Sequence, residues 1–461
     1  MNNCIDEKSL QIHFGKQLIS LGWQEIKFND IIRTRNDEVV LKEILKQQLG
    51  KINPNINDNI LQWALISLIT ESYSNLLENN YDFNKKITDG VFIEDNTNDK
   101  LNPHLQFIDF KNINNNSFTF IHEYSITQNN YTKRADTILF INGLPLILIE
   151  FKSPTNTNIS IENAYQQLKN YSYNTPNLFL YNLFSIISDG HLAKYGSITA
   201  SFERFMTWKK KSIDNNPKSN NEKYELDTLI EGLLNKNTIL DILKNFTIFT
   251  KNKEKIIPAY HQYYATKKAM QSIETVNDGR AGVIWHTQGS GKSLSMVFLS
   301  RQIINNINGV TILIITDRNN LDEQLYNTFA KAFEYLKLPH EPQHIDSNQE
   351  LIKNLKNKQQ GGIIFTTIQK FNESVSLLST RKNIIVIADE AHRSQYRING
   401  KFKTNEFNKE IHEHFGYAKY MRNALPNAIF IGFTGTPIDN KEKSTYKIFG
   451  KTLILMICYS Q

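Results

Sequence analysis

The second half of the chain repeats one pattern: a short apolar strand, a polar or glycine-containing turn, and a helical stretch. AGVIWHTQGSGKS, VTILIITD, GGIIFTT, NIIVIADEAH and AIFIGFTGTP carry it in turn. Short apolar strands alternating with helices build a parallel sheet flanked by helices. Residues 251–461 are therefore read as one α/β domain.

Two of these turns carry chemistry. VIWHTQGSGKS (283–293) is a strand running into a glycine loop that ends Gly-Lys-Ser. Gly289 and Gly291 let backbone amides turn toward phosphate oxygens, and Gln288 and Ser290 complete the loop. Lys292 is expected to reach the β and γ phosphates of ATP, and the Ser293 hydroxyl to ligate Mg²⁺. His286 stands where the motif usually has its first glycine. NIIVIADEAH sets Asp389 and Glu390 just past the carboxyl end of a predicted strand, where ligands bind in parallel sheets. Asp389 is expected to hold magnesium and Glu390 to activate the attacking water. Alone, the first stretch is a turn before a helix and the second an acidic helix start; in this order they form a nucleotide site. Tyr260-His261-Gln262 precedes the loop, with Gln262 placed to read adenine as in motor proteins. TTIQKF (366–371) and Thr434-Gly435-Thr436-Pro437 also fall in helicase order. Together these resemble the first RecA-like lobe of a superfamily 2 helicase or translocase.

The first half reads differently. SLQIHFGKQLISLGW, EVVLKEILKQQLG and NDNILQWALISLI carry apolar residues at helical spacing within residues 8–70. Between 104 and 190, FTFIHEYSI, DTILFI, LPLILIEF and LFSIIS read as strands, with the helix ISIENAYQQLKNYS among them. The polar stretch 209–223 reads as a surface insertion or linker, and LDTLIEGLLNKNTILDILKNF is helical again. The domain boundary is expected near residue 250.

Within this half, RADTILFINGLPLILIEFKSP (134–154) is a hairpin with charges at its ends. A three- or five-residue connection centred on Gly143 puts Asp136 opposite Glu150 and Arg134 opposite Lys152. Paired side chains have Cβ atoms roughly 5 Å apart, so the two carboxylates need a cation between them. Oxygen-only ligands favour Mg²⁺. Glu150 and Lys152 share a face, so the lysine can orient or deprotonate a water beside the metal. On the following helix, Gln167 and Tyr171 lie four apart and can point polar groups at the same place. The competing reading is a salt-bridged strand end with an exposed i,i+4 pair. Against it, both strands are apolar on both faces, and acidic groups near a buried sheet need a partner.

Composition sets outer limits. The 461 residues carry a formal charge of +7, compatible with a polyanionic partner but not specific to one. Cys4 and Cys458 are the only cysteines, too few for a disulfide framework or a cysteine zinc site. Neither a signal core nor a membrane-length apolar run is present, so a cytoplasmic protein without a membrane is expected.

Asp…Glu-x-Lys on a sheet followed by Gln-x-x-x-Tyr resembles the PD-(D/E)xK nuclease fold. Such a nuclease joined to a translocase lobe resembles the restriction (motor) subunit of type I restriction–modification enzymes. INP (52–54), HLQFIDF (104–110), NGLPLILIEFKSP, ERFMTW (203–208), WHTQGSGKS, DRNNLDEQL (317–325), TTIQKF, DEAHRSQY and GFTGTP resemble that family's blocks in order, over about residues 5–450. The resemblance implies a PD-(D/E)xK restriction-endonuclease-like domain over 1–250 and one RecA-like lobe over 251–461. It implies Mg²⁺-dependent cleavage of double-stranded DNA coupled to ATP-driven translocation, with methyltransferase and specificity subunits as partners. The nuclease site would be Asp136, Glu150 and Lys152 with Gln167 and Tyr171. The ATPase site would be Gln262, the loop 288–291, Lys292, Ser293, Asp389 and Glu390. The chain stops after the TGTP block, so a second lobe is expected to be absent and translocation defective. TLILMICYSQ reads either as a frameshifted or truncated end or as an ordinary last strand. The alternatives are a non-catalytic remnant that competes for the methyltransferase complex, and a stand-alone superfamily 2 nucleic-acid helicase.

Overall fold

The computed structural model describes residues 6–94, 102–153, 160–209, 224–287, 289–317, 319–345, 347–357, 361–371, 377–391, 401–404, 411–414, 417–435 and 445–456. Gln288, Thr436, Pro437, most of the 209–223 stretch and the last five residues lie outside them. The chain divides into two compact units, Met1–Tyr260 and His261–Gln461.

The first unit is mixed α/β. Its seven-stranded sheet follows the chain in space: β1 (Gln24–Glu25), β2 (Phe118–Gln128), β3 (Tyr131–Ile141), β4 (Leu144–Phe151), β5 (Phe184–Ser188), β6 (Ala193–Gly196) and β7 (Met206–Thr207). β1 runs parallel to β2 and β4 parallel to β5; the other neighbours are antiparallel. The three N-terminal helical stretches form α1 (Glu7–Ser20), α2 (Lys42–Ile52) and α3 (Asp58–Ile69). A fourth helix, α4 (Leu76–Asp89), follows where no helix was expected. Its buried face holds Asn79, Asn80 and Asn84 beside Phe83 and Ile87. Asn80 donates to the carbonyls of Phe179, Leu180 and Asn182, so the burial of its amide is compensated.

Glu150 and Phe151 are neighbours on β4 and so point to opposite faces. On one face Phe14 of α1 packs edge-on against Phe151, ring centroids 5.4 Å apart. On the other, Gln167 of α5 (Ile161–Asn174) bonds the Glu150 carboxyl. The late helical stretch is two helices, α7 (Glu225–Leu233) and α8 (Lys236–Asn245), after the short α6 (Asn177–Leu180). Asn235 breaks the run and caps α8, accepting from the Asn237 amide at 3.0 Å.

The β3–β4 connection differs from the expectation. It has two residues, Asn142 and Gly143, both at positive φ (53° and 80°), between the paired Ile141 and Leu144. That is the type I′ geometry of tight hairpins. A one-residue irregularity then enters β4: Phe140 pairs with Pro145 but Leu139 with Ile147. The bulge at Leu146 shifts the register by one, so Thr137 faces Ile149. Asp136 and Glu150 are thus brought to matching positions by a turn and a bulge together, not by a longer loop.

The second unit carries a seven-stranded sheet, every pair parallel: β8 (Arg280–His286), β9 (Thr311–Thr316), β10 (Gln343–His344), β11 (Gly362–Thr367), β12 (Ile384–Ala388), β13 (Ile429–Thr434) and β14 (Thr452–Met456). The spatial order is β10-β11-β9-β12-β13-β8-β14. Helices α9 (Tyr260–Thr275), α10 (Lys292–Asn306) and α11 (Asn319–Lys331) follow the expected alternation. Val283, Leu313, Val386, Phe430 and Phe449 belong to one buried core. Among the described residues, no helix is long and apolar enough to cross a membrane.

Candidate active sites

The first site lies where β3 and β4 end. Past the Thr137–Ile149 pair the ladder is continued by a side chain: Asp136 Oδ2 accepts from the Phe151 amide at 2.7 Å. The Glu150 carboxyl is fully buried. Its Oε2 accepts from Gln167 Nε2 at 2.5 Å, and its Oε1 has no hydrogen-bond partner among the described residues. Burial raises the Asp136 pKa; burial and then the Asp136 charge raise that of Glu150 well above the ordinary range. Two adjacent carboxyls that resist joint ionisation, one with a vacant oxygen, form a donor set of the kind a hard divalent cation takes. Among the described residues, no group of three or more His, Cys, Asp or Glu gathers to hold a metal, so a cation here would draw on this pair, backbone oxygens and water.

Gln167 joins the remaining residues. Its Oε1 accepts from Lys152 Nζ at 2.7 Å, and its Nε2 also reaches the Tyr171 hydroxyl at 2.6 Å. Lys152 Nζ donates as well to the Phe151 carbonyl at 2.9 Å. Tyr171 donates to the Arg134 carbonyl at 2.9 Å, and burial followed by the Glu150 charge holds its proton on. All five residues proposed from the sequence therefore meet. The sequence reading missed the cover that α1 provides: Gln11 Nε2 donates to the Asp136 carbonyl at 2.8 Å. No residue spacing announces that contact.

The second site forms at the carboxyl ends of β8 and β12. Gly289 and Gly291 both have positive φ, and Gly291 opens α10. Lys292 Nζ lies 2.9 Å from Asp389 and also contacts Glu390. Burial opposes its charge, but the two carboxylates outweigh it and hold the ammonium pKa above the ordinary lysine value. Glu390 sits in left-handed backbone at φ 46°, a strained state for a side chain of this type. Gln262 Nε2 donates to the Gly291 carbonyl at 3.2 Å, so Gln262 here touches the loop itself. Ser293 follows Lys292 in the first turn of α10, and Gln288 lies outside the described residues. Among the described residues, none lies within 4 Å of a Cβ built on Gly289. A helix N-terminus, a lysine and two carboxylates suit a nucleotide phosphate chain with a cation, with the Gln262 amide packed against Gly291.

His286 holds the loop shut on itself. Ser290 Oγ donates to the Thr287 carbonyl at 2.7 Å, so it accepts the 3.0 Å contact from His286 Nδ1. His261 Nε2 donates to the Ser290 carbonyl at 2.8 Å. Burial, then the nearby His261 and Lys292, push the His286 pKa down to about 3, so that ring is neutral. The residue that breaks the glycine pattern is thus a fastener of the same loop.

Comparison with known proteins agrees with these two halves. Residues 261–456 match the SWI2/SNF2 ATPase family, and residues 5–204 match the type I restriction enzyme R protein N terminus. The "Type I restriction enzyme HindI endonuclease subunit" of Haemophilus influenzae is 37% identical, covering 97% of this chain and 44% of its own length. The "Type I restriction enzyme SauMSSORF170P endonuclease subunit" of Staphylococcus aureus is 28% identical over 77% of this chain and 36% of its own length. The chain belongs to the family of type I restriction enzyme endonuclease subunits and carries an SNF2-type ATPase region. It spans less than half the length of these relatives.

Proposed function

We propose that the first unit is a PD-(D/E)xK nuclease domain that cleaves double-stranded DNA with Mg²⁺, and that the second is the first RecA-like lobe of an ATP-driven DNA translocase. The reading rests above all on the pairing of half-buried Asp136 with fully buried Glu150, with Lys152 on the same face. Asp136 and Glu150 would hold Mg²⁺, which when bound supplies Lewis-acid activation of the scissile phosphate. Lys152, oriented by Gln167, would place and deprotonate the attacking water. Tyr171 keeps Gln167 and the β3 backbone in line. In the second unit Lys292 and the loop 288–291 would bind the ATP phosphates, Ser293 and Asp389 the accompanying magnesium, and Glu390 would orient the water. Lys292, which contacts Asp389 and Glu390 here, would turn to the phosphates when a nucleotide is bound. Methyltransferase and specificity subunits would bring the protein to DNA in the cytoplasm and supply the sequence recognition.

The test is nicking of covalently closed plasmid by the 461-residue chain in Mg²⁺. Nicking is expected with the wild type and lost in Asp136→Asn and Lys152→Ala. Equal nicking by Asp136→Asn would remove the carboxylate pair from the mechanism.

A further inference from the structure

In the second unit β13 lies between the two strands that carry the nucleotide residues, in the spatial order β12-β13-β8. Its last residues are fastened to both. Toward β12, the amide of Ala391, the residue after Glu390, donates to the Phe433 carbonyl at 2.9 Å. Gly432 permits that approach, because a Cβ there would come within 2.8 Å of Ala391 Cβ. Toward β8, Trp285 pairs with Thr434 in the parallel ladder.

The Trp285 side chain then reaches one residue past the strand. Its Nε1 donates to the Gly435 carbonyl at 2.8 Å. Gly435 follows the last residue of β13, so its carbonyl lies beyond the ladder and the indole supplies the donor that a neighbouring strand would give. An indole is a donor only, so this contact is one that phenylalanine could not make. Gly435 also sits where the phosphate loop begins: a Cβ on it would lie 3.5 Å from the His286 carbonyl. The rings of His286 and Phe433 are 6.2 Å apart, and His286 is the residue whose Nδ1 holds Ser290 of the loop. The exit of β13 is therefore pinned on one side to the loop and on the other to the Glu390 turn.

We propose that Trp285 is a positioning residue of the nucleotide site: its indole couples the exit of β13 to the phosphate loop, so that filling the loop is felt at Gly435. A phosphate chain that orders the loop also orders the end of β8, and the indole carries that order across to the Gly435 carbonyl. The Ala391 amide holds Phe433 from the other side, so the exit registers the loop and the Glu390 turn together. Coupling of this kind travels through packed side chains and hydrogen bonds, and it has to be measured rather than read from proximity. The inference rests on the reading of the second unit as an ATP site.

The experiment follows amide hydrogen exchange in the full chain with and without AMP-PNP and Mg²⁺. In the wild type, nucleotide should slow exchange about tenfold both in the loop and at the β13 exit, residues 430–435. Trp285→Phe keeps an aromatic ring and loses the donor. It should bind AMP-PNP within about threefold of the wild type and keep the slowing in the loop, but lose it at 430–435. Gly435→Ala keeps the carbonyl and meets His286 at ordinary contact distance, so it should behave as the wild type. Trp285 is the only tryptophan after residue 260. Its emission should change when AMP-PNP is added, and the change should be missing in Trp285→Phe. Slowing confined to the loop in the wild type would overturn the proposal, whatever the variants do. So would a Trp285→Phe protein that exchanges faster at 430–435 in both states and keeps the wild-type ratio, because the indole would then be packing only. If AMP-PNP slows exchange nowhere, or binds Lys292→Ala as well as the wild type, the ATP reading falls and takes the proposal with it.

Discussion

Glu150 is held in a state that favours its neutral form. It is buried, one oxygen lacks a partner among the described residues, and Asp136 is adjacent. A carboxyl whose folded pKa is raised contributes stability that is complete below its unfolded value, about 4.3. That contribution is lost as pH rises through the folded value. Metal-free protein should therefore lose stability from mildly acidic toward alkaline pH. Glu150→Gln, which cannot ionise and can still accept from Gln167, should melt a few degrees above wild type at pH 8. The gap should close toward pH 4. Mg²⁺ should raise the wild-type melting temperature and leave Glu150→Gln nearly unmoved. Circular dichroism melts with EDTA and with Mg²⁺ check both; a pH-independent gap would mean that Glu150 ionises freely.

At the scale of elements, the turn and the loop fasteners decide where the sites fall. Asn142 is buried in left-handed backbone. Its Oδ1 accepts from the Ser117 amide at 2.7 Å, and its Nδ2 donates to the Phe107 carbonyl at 2.9 Å and to Asn116 Oδ1 at 2.8 Å. Asn142→Ala should cost about 3–5 kcal/mol, from lost hydrogen bonds and left-handed strain. Asn142→Gly should recover about 1 kcal/mol of it, because only the strain is relieved. Urea unfolding measures both. In the phosphate loop, His286→Phe should fold normally yet bind an ATP analogue about tenfold more weakly, one charge-neutral hydrogen bond in size. His286→Asn, which can still donate to Ser290, should recover most of the affinity.

These elements also mark how far the sequence could be read. The strands of the second unit and the Lys292, Asp389 and Glu390 positions follow from apolar runs ending in chemically distinctive residues. Asp136 and Glu150 were placed opposite each other, but by a wrong connection: Leu146 sits in an unbroken apolar run, LPLILI, where a bulge leaves no mark. α4 was missed because ENNYDFN reads as a polar break until Asn80 is seen to serve three buried carbonyls. His286 looked like a departure from the motif because its partner, Ser290, lies within the turn.

At the scale of the whole chain, each unit closes its own sheet over its own core, and each carries a candidate site on that sheet. Ligands that bind only the native state stabilise the unit that holds them. Multidomain chains of this kind do not melt as one two-state body. Calorimetry should therefore resolve two transitions. An ATP analogue with Mg²⁺ should raise one that Mg²⁺ alone leaves in place, and Lys292→Ala should abolish that rise. Mg²⁺ alone should raise the other, and Asp136→Asn should abolish that response without touching the first. A fragment of residues 1–260 should show only the Mg²⁺-sensitive transition. A single transition that shifts as one under either ligand would mean that the two halves fold as a single cooperative body, and that the sites are coupled through stability before any DNA is bound.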